Sequence, residues 1–106
     1  MQSGEQAFQI QKTFGLELGR FRLKEGMSEA ALQEAYQAMV TNHLSKQSGW
    51  CGQHLVKLGD GIFLDVAFAL TEDHAKAICA SWCDQSVCDA FLAFIEPISM
   101  EFGTAL

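Results

Sequence analysis

Asp65 is the residue of this chain whose type is hardest to reconcile with its surroundings. It interrupts Ile62-Phe63-Leu64-Asp65-Val66-Ala67-Phe68-Ala69-Leu70, a run that is apolar at both parities. A strand of that kind is buried on both faces, and an unpaired carboxylate there is costly. Three partners are open to it. Across the turn Gly59-Asp60-Gly61 lies His54, and a two-residue turn puts His54 and Asp65 on one sheet face. A three-residue loop puts them on opposite faces. Arg20 or Arg22 on a neighbouring strand is the other possibility. Chemically, His54 with Asp65 makes a general base and its orienting acid, able to take a proton from a substrate. Structurally, the same pair is a buried polar contact that holds strand register.

Other side chains join the candidate set. His43 falls on the stripe Leu32, Ala35, Tyr36, Met39, Val40, His43, Leu44, with the three- and four-residue spacing of a helix. It either completes a core or lines a ligand pocket with Tyr36 and Met39. Trp82 and Trp50 either fill core or stack on a planar ligand. His74 stands beside two acids near a helix start and reads as exposed. The four cysteines, Cys51 and the series Cys79-x3-Cys83-x4-Cys88, match no zinc or redox spacing. They read as free, buried thiols, and no basic neighbour that would activate one as a nucleophile can be read.

The elements that position these residues follow from periodicity. Residues 1–13 read as an N-terminal arm ahead of a domain over residues 14–106. Phe14, Leu16 and Leu18 are apolar at even positions and Phe21 and Leu23 at odd ones. This predicts a strand from Phe14 to Lys24, with a bulge or bend near Gly15 or Gly19 where the phase changes. Ser28 is a helix N-cap, with Glu29 in the first turn and Gly49 as the stop of a helix reaching about Lys46. Strands follow over Trp50 to Leu58 and Ile62 to Leu70. Thr71 caps a second helix with the stripe Ala75, Ile78, Cys79, Trp82. After Asp84-Gln85-Ser86 a further helical piece turns Val87, Ala90, Phe91, Phe94 and Ile95 inward. Pro97 excludes helix at Glu96, and Ile98 to Thr104 alternates as a last strand.

The order β-α-β-β-α-β is that of an α+β, ferredoxin-like fold: an antiparallel sheet with two helices on one face and the first and third strands central. The helices cover one face only. The third strand offers Ile62, Leu64, Val66 and Phe68 on one side and Phe63, Ala67 and Ala69 on the other. The first adds Leu16 and Leu18, and the last Ile98, Met100 and Phe102. A bare apolar sheet face is rare in monomers, so the pattern predicts a homodimer through that face. Ala67 and Ala69, if they face the helices, leave volume below Tyr36, Met39, His43, Ile78 and Trp82 for a small apolar or aromatic ligand.

Composition narrows the partners. Across 106 residues, seven Lys and Arg face thirteen Asp and Glu, for a net charge of −6. No basic cluster exists for nucleic acid or an anionic membrane surface. No apolar stretch approaches the ~20 residues of a membrane helix, and the start carries no basic region followed by an apolar core. The expectation is a cytoplasmic protein.

The chain resembles the dimeric α/β-barrel superfamily, in particular its antibiotic-biosynthesis-monooxygenase-like small proteins. The resemblance is carried by Glu17-Leu18-Gly19-Arg20-Phe21-Arg22-Leu23-Lys24-Glu25-Gly26, Gln47-Ser48-Gly49-Trp50, Asp60-Gly61-Ile62-Phe63-Leu64-Asp65-Val66, Thr71-Glu72-Asp73-His74-Ala75-Lys76-Ala77, and Phe91-Leu92-Ala93-Phe94-Ile95-Glu96-Pro97-Ile98-Ser99-Met100. It implies a fold in which two ferredoxin-like sheets pack face to face, with a ligand pocket between sheet and helices. That superfamily includes cofactor-independent monooxygenases, isomerases, haem-degrading enzymes and proteins without known activity. The haem-degrading members carry a tryptophan at the end of strand three, where this chain has Phe68-Ala69-Leu70, and an asparagine on strand one, where it has none. No cofactor and no metal is therefore expected. The functional expectation is a monooxygenase or isomerase acting on a small apolar or aromatic molecule, with His54 and Asp65 catalytic and Tyr36, Met39, His43, Trp82, Arg20 and Arg22 around the ligand. The alternative is a non-catalytic dimeric binding or stress-related protein whose polar core groups are structural.

Overall fold

The computed structural model describes residues 13–106, so the expected arm at residues 1–13 falls outside the described residues but for Thr13. Four strands, β1 (Phe14–Leu23), β2 (Trp50–Lys57), β3 (Ile62–Ala69) and β4 (Ile95–Ala105), form one antiparallel sheet in the order β2-β3-β1-β4. Helix α1 (Glu29–Asn42) joins β1 to β2, with a 3-10 turn at Leu44–Lys46. Helices α2 (Glu72–Ala80) and α3 (Ser86–Leu92) join β3 to β4. This is the ferredoxin-like α+β fold, with β1 and β3 central as expected.

The helix starts follow from their caps. Ser28 Oγ accepts from Ala31 N at 3.1 Å and Thr71 Oγ1 from His74 N at 3.1 Å, each satisfying a donor the first helical turn leaves open. Gly49, at φ +83°, turns the chain into β2, and a Cβ there would lie 2.3 Å from the His74 ring. Gly15 is required by proximity: a Cβ would lie 2.1 Å from the Thr71 carbonyl oxygen, where β1 passes under the start of α2.

Leu58 N donates to Ile62 O at 2.8 Å, so the hairpin closes around a three-residue loop, Gly59-Asp60-Gly61, with Gly61 at φ +85°. That loop length sets the phase of β2 against β3, pairing Gln53 with Ala67, His54 with Val66 and Leu55 with Asp65.

Side chains at odd positions of β1 and β3 lie under the helices: Glu17 and Phe21, then Phe63, Asp65, Ala67 and Ala69, all buried. No change of phase occurs in β1. Gly15, Glu17, Gly19, Phe21 and Leu23 share one face, and Phe14, Leu16, Leu18, Arg20 and Arg22 the other. The irregularity lies on β4, where Arg20 pairs with Ser99 and Phe21 with Pro97, leaving Ile98 as the extra residue. Pro97 is tolerated there because β4 is an edge strand. The bulge puts Met100 and Phe102, paired with Gly19 and Glu17, on the helix side. The last strand thus gives the open face Ser99, Glu101, Gly103 and Ala105, where Met100 and Phe102 were expected.

The core centres on Phe91 of α3, 1% exposed. Its ring meets those of Phe21 at 5.8 Å, Tyr36 at 5.5 Å and Trp82 at 6.1 Å, at tilted or edge-on angles that aromatic pairs favour. Leu32, Met39, Leu44, Ile78 and Cys88 pack around it. On the opposite side of the sheet, Leu16, Leu18, Leu64, Val66 and Phe68 are only half-buried, with no described element covering them.

Candidate functional site

The site is built on β3 and its two neighbours. Asp65, 5% exposed, points toward α1, and Tyr36 Oη donates to its Oδ1 at 2.7 Å. Gln53 Nε2, from β2, donates to the same oxygen at 2.8 Å. Trp50 Nε1 in turn donates to Gln53 Oε1 at 3.0 Å. An indole N–H can only donate, so it fixes the amide with its NH2 toward the carboxylate. The chain Trp50, Gln53, Asp65, Tyr36 delivers two donors to one oxygen, and neither reaches Oδ2. Burial raises the Asp65 pKa, while the Gln53 and Tyr36 bonds pull it down. Burial, followed by the Asp65 charge, holds the Tyr36 phenol well above its usual range, so it stays a donor.

A second acid shares this layer. Glu17, 3% exposed, lies under α2 and pairs across the sheet with Ala67 and Phe102. Its carboxyl is pushed up to about 7, first by burial and then by the charge of Asp65, with the Cys79 thiol pulling the other way. Burial and the two acids push Cys79 up to about 12, so its thiol is not a ready nucleophile. The two carboxyls thus occupy one buried layer, and one of them titrates near neutrality.

Two openings flank the Asp65 network. Between sheet and α3 is an apolar cavity of about 240 Å³, lined by Gly19, Phe21, Asp65, Trp82, Phe91 and Ile95, with Pro97, Ile98 and Met100 at β4. On the other side, between α1 and β2, is a polar groove of about 410 Å³ lined by Gln33, Tyr36, Gln37, Gln53, His54 and Lys57. The groove is larger, but the cavity is where a carboxylate meets an apolar surface. Trp82 Nε1 in the cavity wall is buried without a hydrogen-bond partner among the described residues.

The sequence-predicted residues separate accordingly. Asp65 and Trp82 line the cavity, and Tyr36 reaches it through Asp65. Arg20 borders the cavity, although its register places it on the other sheet face beside Leu64. Arg22 is exposed on that same face, and neither arginine pairs with Asp65. His54 also lies on the open face, exposed, with its ring edge-on to Phe68 at 6.2 Å. The three-residue loop therefore rules out a direct His54–Asp65 pair. Met39 is wholly buried core.

His43 ends α1, and its ring links that end to α2. Ser81 Oγ donates to Ile78 O at 2.6 Å and lies 2.9 Å from His43 Nε2, which places the ring proton on Nε2. Of the cysteines, all free, Cys88 is buried and Cys79 half-buried. Cys51 and Cys83 are exposed, against the expectation of four buried thiols.

Glu17 and Gln53 were not among the sequence candidates. Glu17 had a readable signal: it shares parity with Phe21 and Leu23 and is flanked at that parity by Gly15 and Gly19. Gln53 had none, because its face depends on the loop length and on the register shift between Trp50 and Gly52.

Among the described residues no group of three or more His, Cys, Asp or Glu could hold a metal ion. No described helix is long and apolar enough to cross a membrane.

No protein-family model and no curated protein sequence matches the chain. Solved structures do. An antibiotic-biosynthesis-monooxygenase-like protein from Bordetella bronchiseptica superposes with a TM-score of 0.74 at 14% identity, over 90% of this chain and 99% of its own. SnoaB from Streptomyces nogalater, described as a cofactor-independent oxygenase, gives 0.66 at 14% identity over 90% and 93%. A further antibiotic-biosynthesis-monooxygenase-like protein, from Chloroflexus aurantiacus, gives 0.61 at 16% identity over 90% and 94%. At these identities the likeness is one of fold: the chain has the ferredoxin-like α+β architecture of the antibiotic-biosynthesis-monooxygenase-like proteins.

Proposed function

We propose that the protein is a homodimeric, cytoplasmic, cofactor-independent enzyme of the monooxygenase or isomerase type, acting on a small apolar or aromatic molecule in the cavity between sheet and helices. One observation carries this reading: the Asp65 carboxylate, 5% exposed, forms part of the wall of an otherwise apolar cavity of about 240 Å³. A carboxylate kept out of water is a stronger base than in solution. Two donors on Oδ1 hold it in place, and Oδ2 is left to accept a proton from an acidic C–H or O–H.

A carbanion formed at a methylene then has two routes. It regains a proton at another carbon, which is isomerisation. Or it passes an electron to dioxygen, which adds to the carbon; loss of water from the hydroperoxide leaves a carbonyl, one oxygen atom retained and one released. SnoaB, of the same fold, is described as a cofactor-independent oxygenase. The open sheet face with Leu16, Leu18, Leu64, Val66 and Phe68 half-buried supports a second copy packed against it.

The test is solvent deuterium incorporation and oxygen uptake with a panel of single-ring phenols and cyclic ketones. Exchange or uptake by the wild type, lost in Asp65→Asn, supports the reading. Neither signal with any compound shown to bind overturns it. A non-catalytic binding role is the second reading, favoured by one observation: Tyr36 and Gln53 already satisfy Asp65 Oδ1 without a ligand.

A further inference from the structure

We propose that the ligand of the apolar cavity is a single-ring molecule bearing a primary ammonium, with the positive charge held by Asp65. This rests on the cavity being the ligand site, as argued above, and adds the charge and size of what enters it.

Asp65 is a buried carboxylate with hydrogen bonds but, among the described residues, no counter-charge. The ion pairs among the described residues, Lys57 with Glu29 at 2.7 Å and Lys76 with Glu72 at 3.2 Å, both lie at the surface. Arg20, the one cation among the described residues that borders the cavity, belongs by register to the opposite sheet face and makes no ion pair with a described residue. Glu17, the second buried acid of the layer, supplies no cation either. A neutral occupant leaves that charge uncompensated, and an anionic one is repelled. A compact cation satisfies it.

The walls favour the same charge. Phe21, Trp82 and Phe91 are among the residues that line the cavity, and aromatic ring faces attract an ammonium most strongly where water is excluded. A cavity of about 240 Å³ holds one ring with a short substituent.

The experiment is calorimetric titration of benzylamine, benzyl alcohol and benzoate into the full chain, for wild type, Asp65→Asn and Met100→Trp. Met100 is half exposed on the cavity rim and takes no part in the Asp65 network, so a tryptophan there blocks the mouth without touching the carboxylate. The expectation is benzylamine bound about tenfold more tightly than benzyl alcohol, no binding of benzoate, loss of that preference in Asp65→Asn, and loss of all binding in Met100→Trp. Benzyl alcohol bound as tightly as benzylamine overturns the ammonium inference and leaves the cavity reading standing. Benzylamine binding unaffected by Met100→Trp places the amine elsewhere and overturns the inference. If no compound binds, both fail. Should Asp65→Asn not fold, the wild-type comparison of amine with alcohol and the Met100→Trp arm decide.

Discussion

Tyr36 Oη donates a 2.7 Å hydrogen bond to Asp65 Oδ1, joining helix α1 to the central strand at the one buried acid of β3. The pair has two roles. It stabilises the docking of α1, and with the Gln53 bond it lowers the proton affinity of a carboxylate that burial raises. Removing the donor leaves Asp65 with Gln53 alone. Tyr36→Phe is therefore expected to cost about 1–3 kcal/mol in stability, measured by urea denaturation. It also raises the Asp65 pKa, read from the carboxyl carbon shift in an NMR titration. An Asp65 pKa unmoved by the change would show that the bond does not control the carboxylate.

Glu17 makes stability depend on pH in a defined direction. Its carboxyl is raised from 4.5 to about 7 in the folded chain. Below about pH 4.5 it is protonated folded and unfolded and makes no difference. As pH rises from there, the unfolded chain ionises while the folded chain resists, so stability falls until about pH 7 and then levels, by on the order of 3 kcal/mol at most. Glu17→Gln removes the dependence. The expectation is a variant more stable than wild type at pH 8 and little different at pH 4.5, by denaturation at each pH. A variant no more stable than wild type at pH 8 contradicts it.

The approach of β1 to α2 leaves no room at Gly15. A Cβ would meet the Thr71 carbonyl oxygen at 2.1 Å, backbone that cannot swing aside. Gly15→Ala is expected to destabilise by about 2–3 kcal/mol, seen as a lowered Tm by circular dichroism. Gly103→Ala is the control, since nothing lies within 4 Å of a Cβ there.

The proposed dimer predicts a surface variant with a clean readout. Val66 is at the middle of the open face, paired with Leu18 on one side and His54 on the other. Val66→Arg places a charge where two copies would meet and should turn a dimer into a monomer in light scattering, with the helix-side network intact. A monomeric wild type removes the dimer from the account.

Much of the architecture was legible because it depends on local signals. Ser28 and Thr71 cap the helices they were read to cap, and the alternation around β3 identifies a strand apolar on both faces. The site was less legible. Asp65 stood out by type, since nothing local explains an acid in that run. Its partners, Tyr36 and Gln53, come from α1 and β2, and no spacing in the chain reports that they converge. The apparent phase change in β1 misled for a related reason: small and acidic residues on a buried face look like an exposed face when only polarity is read.

What the sequence by itself determined is the order of elements, the two helix caps, the apolar character of both faces of β3 and the presence of one acid within it. What only the tertiary structure decided is which groups meet that acid. Side chains alternate across a strand, so one residue more in the Gly59-Asp60-Gly61 loop sends His54 to the open face and brings Gln53 to Asp65. The bulge at Ile98 does the same on the other edge, turning Met100 onto the rim of the cavity. Both are shifts of a single residue, too small to mark the composition, yet each moves whole side chains through the plane of the sheet.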